Sequence, residues 1–237
     1  MVSGGVQPNS TTDEGEETLS DAECAPPGYL PHTKDDDYYF SYLVFVVEGR
    51  LFNVPRHYFK KSPVFVKMFR LPIGDKMADG AIVIDNVSAA DFKALLKLLI
   101  PMPGKDKEDL TKSEWLGILN LSTMWSFGEF RETAISKLTK EKMDAVDRIL
   151  LGYKYDIATW LVYAHAYLVV RKKFLSDEEG KKLGGVSFAL KYGKAREMAA
   201  QTRFWPTVEN CQSLVIDVFH LPKVTAMSAN SVVIEET

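Results

Sequence analysis

The sequence has few of the features that mark a secreted protein. Only two of its 237 residues are cysteine, and because Cys24 and Cys211 lie far apart we expect reduced thiols rather than a disulfide framework. The stretch from Met1 to Glu17 has no cationic start followed by an apolar run, so it does not resemble a secretory signal. We therefore expect a protein of the cytoplasm or the nucleus.

Charge of one sign and long hydrophobic runs are also scarce. The formal net charge is −3, and lysine and arginine are scattered among aspartate and glutamate, so no basic footprint for nucleic acid is present. The most apolar stretch, from Trp160 to Val170, is too short to cross a bilayer. Neither nucleic acid nor a membrane is predicted as a partner.

Sequence signatures of catalysis and metal binding are missing. There is no phosphate-binding G-x-x-x-x-G-K-[ST] loop and no G-x-S-x-G elbow. The histidines are widely separated and have no partner ligands at metal-binding spacing; they are His32, His57, His165 and His220. We predict no enzyme, no cofactor, no metal ion and no small-molecule substrate, and we expect His165 to be a packed or hydrogen-bonded core residue. An enzyme would require a buried, convergent cluster of ionisable groups.

The composition divides the chain into four parts. Residues 1–37 are rich in small, polar and acidic residues, which predicts a disordered acidic leader. Residues 38–139 mix strand and helix patterns, and residues 140–221 carry helical patterns alone. Residues 222–237 are predicted to be a flexible tail. The predicted fold class is α+β.

Strand signals open the mixed region. The run from Tyr42 to Val47 is β-branched and aromatic, and Glu48-Gly49 separates it from Arg50 to Val54, which predicts a β-hairpin whose first strand is buried on both faces. Ala81 to Ile84 predicts a third strand.

Helix-capping residues place the helices that follow. Ser62-Pro63 and Ser88 are N-terminal signals, and Thr111 with Glu114 forms a capping box. Apolar residues lie all around the predicted helix from Lys112 to Trp125, Met124 among them, which indicates a central helix. Downstream apolar stripes predict further helices; they run through Phe127, Phe130, Ala134 and Leu138, then Val146, Ile149, Leu150 and Tyr153, and then Ile157, Trp160, Leu161, Ala164 and Leu168.

Three stretches of the mixed region resemble the BTB/POZ family, and most of all the expanded set of mushroom-forming fungi. They are VVEGRLFNVPRHYFKKSPVFVKMF at Val46–Phe69, IVIDNVSAADFKALLKLLI at Ile82–Ile100, and EWLGILNLSTMWSFGEFRETAISKL at Glu114–Leu138. The resemblance implies a BTB/POZ-like fold, with a short β-hairpin and extra strands packed with helices, followed by an all-helical C-terminal region.

The same resemblance implies a protein–protein interaction module. Its implied partners are a second copy of the chain, as a homodimer, and a cullin scaffold, for which the chain would be a substrate adaptor of a ubiquitin ligase. The alternative is a self-associating structural or regulatory scaffold, nuclear and without a ligase role. The implied contact residues lie on the helix after Ser62 and in the loop after the second helix; they are Val64, Val66, Met68, Phe69, Leu71, Met102 and Leu110.

Overall fold

The structure is a computed structural model that describes residues 33–70, 77–78, 81–100, 110–201, 206–224 and 232–235. Within these ranges it combines one small sheet with a larger set of helices, so the predicted α+β class is confirmed. Internal contacts divide the chain into two units, residues 1–39 and residues 40–237.

The second unit holds all the strands and helices described. The strands are β1 (Tyr42–Val47), β2 (Arg50–Pro55), β3 (Met77–Ala78) and β4 (Ala81–Ile84), and a 3-10 helix spans Arg56–Lys61. The helices are α1 (Pro63–Met68), α2 (Ala89–Leu99), α3 (Lys112–Met124), α4 (Gly128–Lys140), α5 (Ala145–Tyr155), α6 (Ala158–Val170), α7 (Asp177–Leu183), α8 (Val186–Ala200) and α9 (Gln212–Phe219).

The sheet has the strand order β2-β1-β4-β3. β1 and β2 form the predicted antiparallel hairpin, and its turn residues Glu48 and Gly49 both have positive φ, 48° and 71°, as a turn matching the twist of two strands requires. β4 then returns to pair with β1 in parallel, and β3 pairs antiparallel with β4. The pairing of the two central strands, β1 and β4, thus joins the hairpin and the region before α2 in one sheet.

The first core cluster joins the sheet to the helices that follow it. It contains buried residues between Leu43 and Trp160, from β1 and β2 through α4 to the start of α6. Its centre is aromatic: Phe45 lies within 6 Å of Phe59, Phe65 and Phe92, at ring-centroid distances of 5.0, 5.9 and 5.5 Å. Edge-on and tilted ring pairs of this kind add to the free energy gained by burial.

The second core cluster lies among the later helices. It contains buried residues between Ala145 and Leu221, contributed by α5 to α9. The predicted stripe of α6 is buried along its whole length, and so is the earlier stripe from Phe127 to Leu138. None of the described helices is both long enough and apolar enough to cross a membrane.

Three expectations about burial differ from the structure. β1 is fully buried on one face, whereas Val44 and Val46 on its other face are half-buried, because the aromatic core packs on the face that carries Phe45. Met124 is exposed although Leu121 and Trp125 beside it are buried, so only one side of the last turn of α3 faces the core. Leu150 and Tyr153 are also exposed, because the buried face of α5 is centred on Val146 and Ile149.

The predicted leader and tail fall largely outside the described residues. Of the leader, residues 33–37 are described, and they belong to a turn in which the Asp35 carboxylate accepts hydrogen bonds from the N–H groups of Asp37 and Tyr38, at 3.0 and 2.7 Å. Of the tail, residues 222–224 and 232–235 are described. The latter form a parallel bridge, Ile234 with Met143, which the sequence patterns did not indicate.

Candidate interaction surface

The helix that carries most of the predicted contact residues, α1, is held in place by its N-cap residue. The hydroxyl of Ser62 is fully buried and donates a hydrogen bond to the carbonyl of Trp125, which ends α3. The same hydroxyl accepts the N–H of Phe65 at 3.2 Å and so caps α1, as predicted, with Pro63 in the first turn. One side chain therefore fixes both the start of α1 and its position against α3.

One face of α1 is committed to the core. Phe65 is buried and lies 5.3 Å from Trp125 and 4.8 Å from Phe59, measured between ring centroids. Met68 and Phe69 are half-buried and pack against the same cluster. The Arg56 guanidinium lies 4.3 Å from the centre of the Phe69 ring, a cation–π arrangement that keeps this ring at the surface boundary.

The two flanks of α1 on either side of Phe65 are partly open to solvent. Val64 is 41% exposed and Val66 is half-buried, so these two predicted contact residues are accessible. The structure thus divides the predicted set on α1 into an accessible pair, Val64 and Val66, and a pair engaged with the core, Met68 and Phe69.

Of the three remaining predicted contact residues, the structure describes Leu110 alone. Leu71 and Met102 lie outside the described residues. Leu110 directly precedes α3 and is half-buried against the first cluster, the cluster that Met68 and Phe69 also contact. The capping box behind it is confirmed, since Thr111 and Glu114 bond reciprocally, at 2.9 Å from the Thr111 N–H to the carboxylate. Hydrogen bonds from Lys97 and Thr111 lower the pKa of the Glu114 carboxyl.

A second accessible apolar surface lies on the sheet, and the sequence patterns did not single it out. In the register of the sheet, Leu51 of β2 stands opposite Val46 of β1, and Val46 stands beside Val83 of β4. Leu51 is 72% exposed and Val83 is 45% exposed, with Val46 half-buried between them. We call this row, with Tyr42 and Val44 on the same face of β1, the outer sheet face.

The signal for the outer sheet face was present in the hairpin. In a two-residue hairpin loop the residues next to the turn pair directly, which sets Val47 against Arg50 and hence Val46 against Leu51. That Val83 completes the row depends on the parallel pairing of β4, which local spacing does not determine.

The chain matches no family model and no curated protein. The assignment of a function therefore depends on the surfaces described above and on the resemblance in the sequence.

A buried polar cluster lies in the second core cluster. The His165 imidazole is fully buried between two tyrosine hydroxyls, those of Tyr192 on Nδ1 and of Tyr153 on Nε2, the latter at 3.2 Å. The ring also stacks on Phe219 at a centroid distance of 4.2 Å. Burial, together with the charge of Lys191, lowers the pKa of His165 to about 3, so the imidazole is neutral at physiological pH.

The surroundings of His165 confirm that it is a packed, hydrogen-bonded core residue. Its ring contacts are aromatic: Phe188, Tyr192 and Phe219 surround it together with Tyr153. In the described part of the chain, no three or more His, Cys, Asp or Glu side chains are placed to hold a metal ion. The outer sheet face and the accessible side chains of α1 are apolar, which suits contact with another protein.

Proposed function

We propose that this chain is a protein-interaction module of the BTB/POZ type, acting in the cytoplasm or the nucleus, and that it self-associates through the outer sheet face. The observation that carries the proposal is the apolar row Leu51–Val46–Val83, which runs across three strands and leaves Leu51 72% exposed. Exposed apolar rows on a flat sheet face suit a second flat surface better than they suit a small molecule.

A two-fold axis would place the outer sheet face of one copy against the same face of the other. The same row is then buried on both copies, so each apolar side chain contributes twice. Full burial of a leucine or valine side chain stabilises by roughly 1.5–3 kcal/mol, so two copies of Leu51 can decide whether a dimer forms. The fold supports this arrangement, because β2 is an edge strand and its outward side chains lie at the rim of the sheet.

Substitution on the outer sheet face tests self-association. The mass in solution would be measured by light scattering coupled to gel filtration over a range of protein concentrations. We expect a dimer or a larger species for the native chain, and at least a tenfold weaker dimer for Leu51→Glu, since about 1.4 kcal/mol corresponds to tenfold. Leu190→Glu is the matched control, because Leu190 is 70% exposed on α8, far from the sheet in sequence. A native chain that stays monomeric at every concentration would refute self-association.

A cullin adaptor is the second candidate, and α1 is the feature that favours it. Val64 and Val66 are accessible on the two flanks of a helix that Phe65 anchors in the core, so their positions are set before any partner binds. Preorganised anchors lower the entropic cost of binding. In this form the helical region or another part of the chain would recruit the protein to be ubiquitinated.

Mixing experiments separate the two candidates. The purified chain would be combined with the N-terminal region of a cullin that binds BTB adaptors, and the mass of the mixture would be measured. A complex that Val66→Asp weakens and Leu51→Glu leaves intact would support the adaptor role through α1. Separate elution of the two proteins at micromolar concentrations would exclude the adaptor role and leave self-association.

A further inference from the structure

Residues 232–235 lie against the last turn of α4 and the link that joins α4 to α5. The N–H of Val233 donates to the carbonyl of Thr139 at 3.2 Å, and the N–H of Glu235 donates to the carbonyl of Met143 at 3.1 Å. Ile234, between them, forms the parallel bridge with Met143. Two N–H groups at alternate positions of the segment thus bind carbonyls of one stretch of chain, so the segment is held largely through its main chain.

A buried arginine joins the two sides of this contact. The Nη2 of Arg148 donates to the carbonyl of Glu141 at 2.9 Å and to the carbonyl of Val233 at 2.8 Å. Its guanidinium lies 5.2 Å from the centre of the Trp160 ring, and Trp160 in turn donates to the Thr139 hydroxyl at 2.8 Å. We call the surface formed by Thr139, Glu141, Met143 and Arg148 the linker groove.

The surroundings of Arg148 disfavour its charged form. Arg148 is fully buried, and none of the salt bridges within the described ranges includes it. Its Nε and Nη1 have no hydrogen-bond partner, and burial lowers the pKa of Arg148 to about 10. A buried charge without a carboxylate adds little to stability compared with an apolar residue of similar size. Binding the carbonyl of an extended chain would explain why an arginine is buried at this position.

The side chains of the bound segment add an apolar contact. Ile234 packs against the second core cluster, whereas Arg148 lies over Trp160 of the first, so the linker groove lies at the junction of the two clusters. A cavity of about 330 Å³ lies beside it, lined by Thr139, Val162 and Val232 among others. The contacts of residues 232–235 therefore combine main-chain hydrogen bonds with an apolar side chain at the central position.

We propose that the linker groove is a docking site for an extended, aliphatic segment of a partner protein, and that residues 232–235 occupy it within the chain as a competing, autoinhibitory segment. The fitting partner segment has free N–H groups at alternate positions, as Val233 and Glu235 do, and a β-branched aliphatic residue between them, as Ile234 is. The docking site is separate from the outer sheet face and from α1, so it does not depend on the proposed self-association or on cullin binding.

A peptide with the sequence of residues 230–237 is the probe for the linker groove. Its affinity would be measured by fluorescence anisotropy against the full-length chain and against two full-length variants that weaken the internal segment, Ile234→Asp and Val233→Pro. Val233→Pro removes the N–H that Thr139 accepts and changes no core residue. The control peptide carries Asp in place of Ile at the position of Ile234.

The expected result is competition between the peptide and the internal segment. The peptide should bind either variant at least about tenfold more tightly than the native chain, since a tethered segment competes at an effective concentration on the order of millimolar. Adding Arg148→Met to Ile234→Asp should weaken peptide binding, and the control peptide should not bind. Equal affinity for the native chain and for folded variants would overturn the proposal.

A measurement on the native chain keeps the test independent of how the variants fold. Saturating peptide should accelerate hydrogen exchange at the N–H groups of Val233 and Glu235, because displacement frees both from the linker groove. Unchanged exchange at both positions, with the peptide at millimolar concentration, would overturn the proposal as well.

Discussion

Replacing Ser62 with alanine tests how α1 is held in place. The Ser62 hydroxyl is fully buried, caps α1 through the N–H of Phe65 at 3.2 Å, and donates to the carbonyl of Trp125. Alanine removes both hydrogen bonds, because a methyl group replaces the hydroxymethyl side chain of serine. Its effect therefore combines a lost helix cap with the loss of a buried hydrogen bond to α3.

The size of this effect follows from two contributions. Loss of a serine N-cap costs about 1 kcal/mol. Leaving the buried Trp125 carbonyl without this donor costs roughly 1–3 kcal/mol. Their sum gives a fall of about 2–4 kcal/mol in the free energy of unfolding, and a chain of this size loses roughly 2–4 °C of melting temperature for each kcal/mol.

Urea unfolding, followed by circular dichroism, measures this loss. Ser187→Ala is the matched control, because Ser187 is exposed on α8 and such surface changes stay within about 0.5 kcal/mol. If Ser62→Ala also stayed within that range, the hydrogen bond to Trp125 would not anchor α1. The accessible positions of Val64 and Val66 would then need another cause.

Two further predictions concern the second core cluster. Because the folded pKa of His165, about 3, lies below its unfolded value of 6.5, the unfolded chain binds more protons between these values. The free energy of unfolding should therefore fall as the pH drops from 6.5 to 4.5, by up to about 1.4 kcal/mol per pH unit. Urea titrations of His165→Gln should no longer show this pH dependence. An unchanged dependence in the variant would assign it to other titratable groups. Gly152→Ala should destabilise the fold by about 1–3 kcal/mol, because the new methyl carbon would lie 2.8 Å from a Leu161 methyl carbon. Gly193→Ala should instead stabilise it by roughly 0.5–1 kcal/mol, because no atom lies within 4 Å of the new methyl carbon and alanine favours a helix more than glycine does. Equal thermal shifts for the two glycine variants would contradict the close approach of α5 and α6.

Helix starts could be predicted from the sequence because they depend on neighbouring residues. Ser88 caps α2 as expected, and a capping box of the same kind as that of Thr111, formed by Ser176 and Glu179, begins α7. The Arg171 guanidinium, which the sequence did not place there, then binds this Glu179 and lowers its pKa to about 2. The cap lies within one helical turn, whereas its ion-pair partner comes from the end of the preceding helix.

The candidate surfaces were predictable only in part, because exposure depends on what covers a residue. An apolar residue on α1 could be placed on the helix from its spacing, yet only packing decided that Phe65 is buried while Val64 is 41% exposed. Leu51 belongs to an expected strand, but its exposure follows from the position of β2 at the edge of the sheet. Arg148 shows the reverse, since arginine is mostly exposed in proteins, yet this arginine is fully buried.

The sequence by itself determined the α+β class, the hairpin of β1 and β2, and the caps of the helices, since each depends on hydrogen bonds and side-chain spacing within a few residues. Only the tertiary structure decided that β4 pairs in parallel with β1 and that Arg148 binds the carbonyls of Glu141 and Val233. The strand pairing and the bond from Arg148 to Val233 bring together segments that are far apart along the chain. Their partners are selected by the packing of the whole core, which no local pattern encodes.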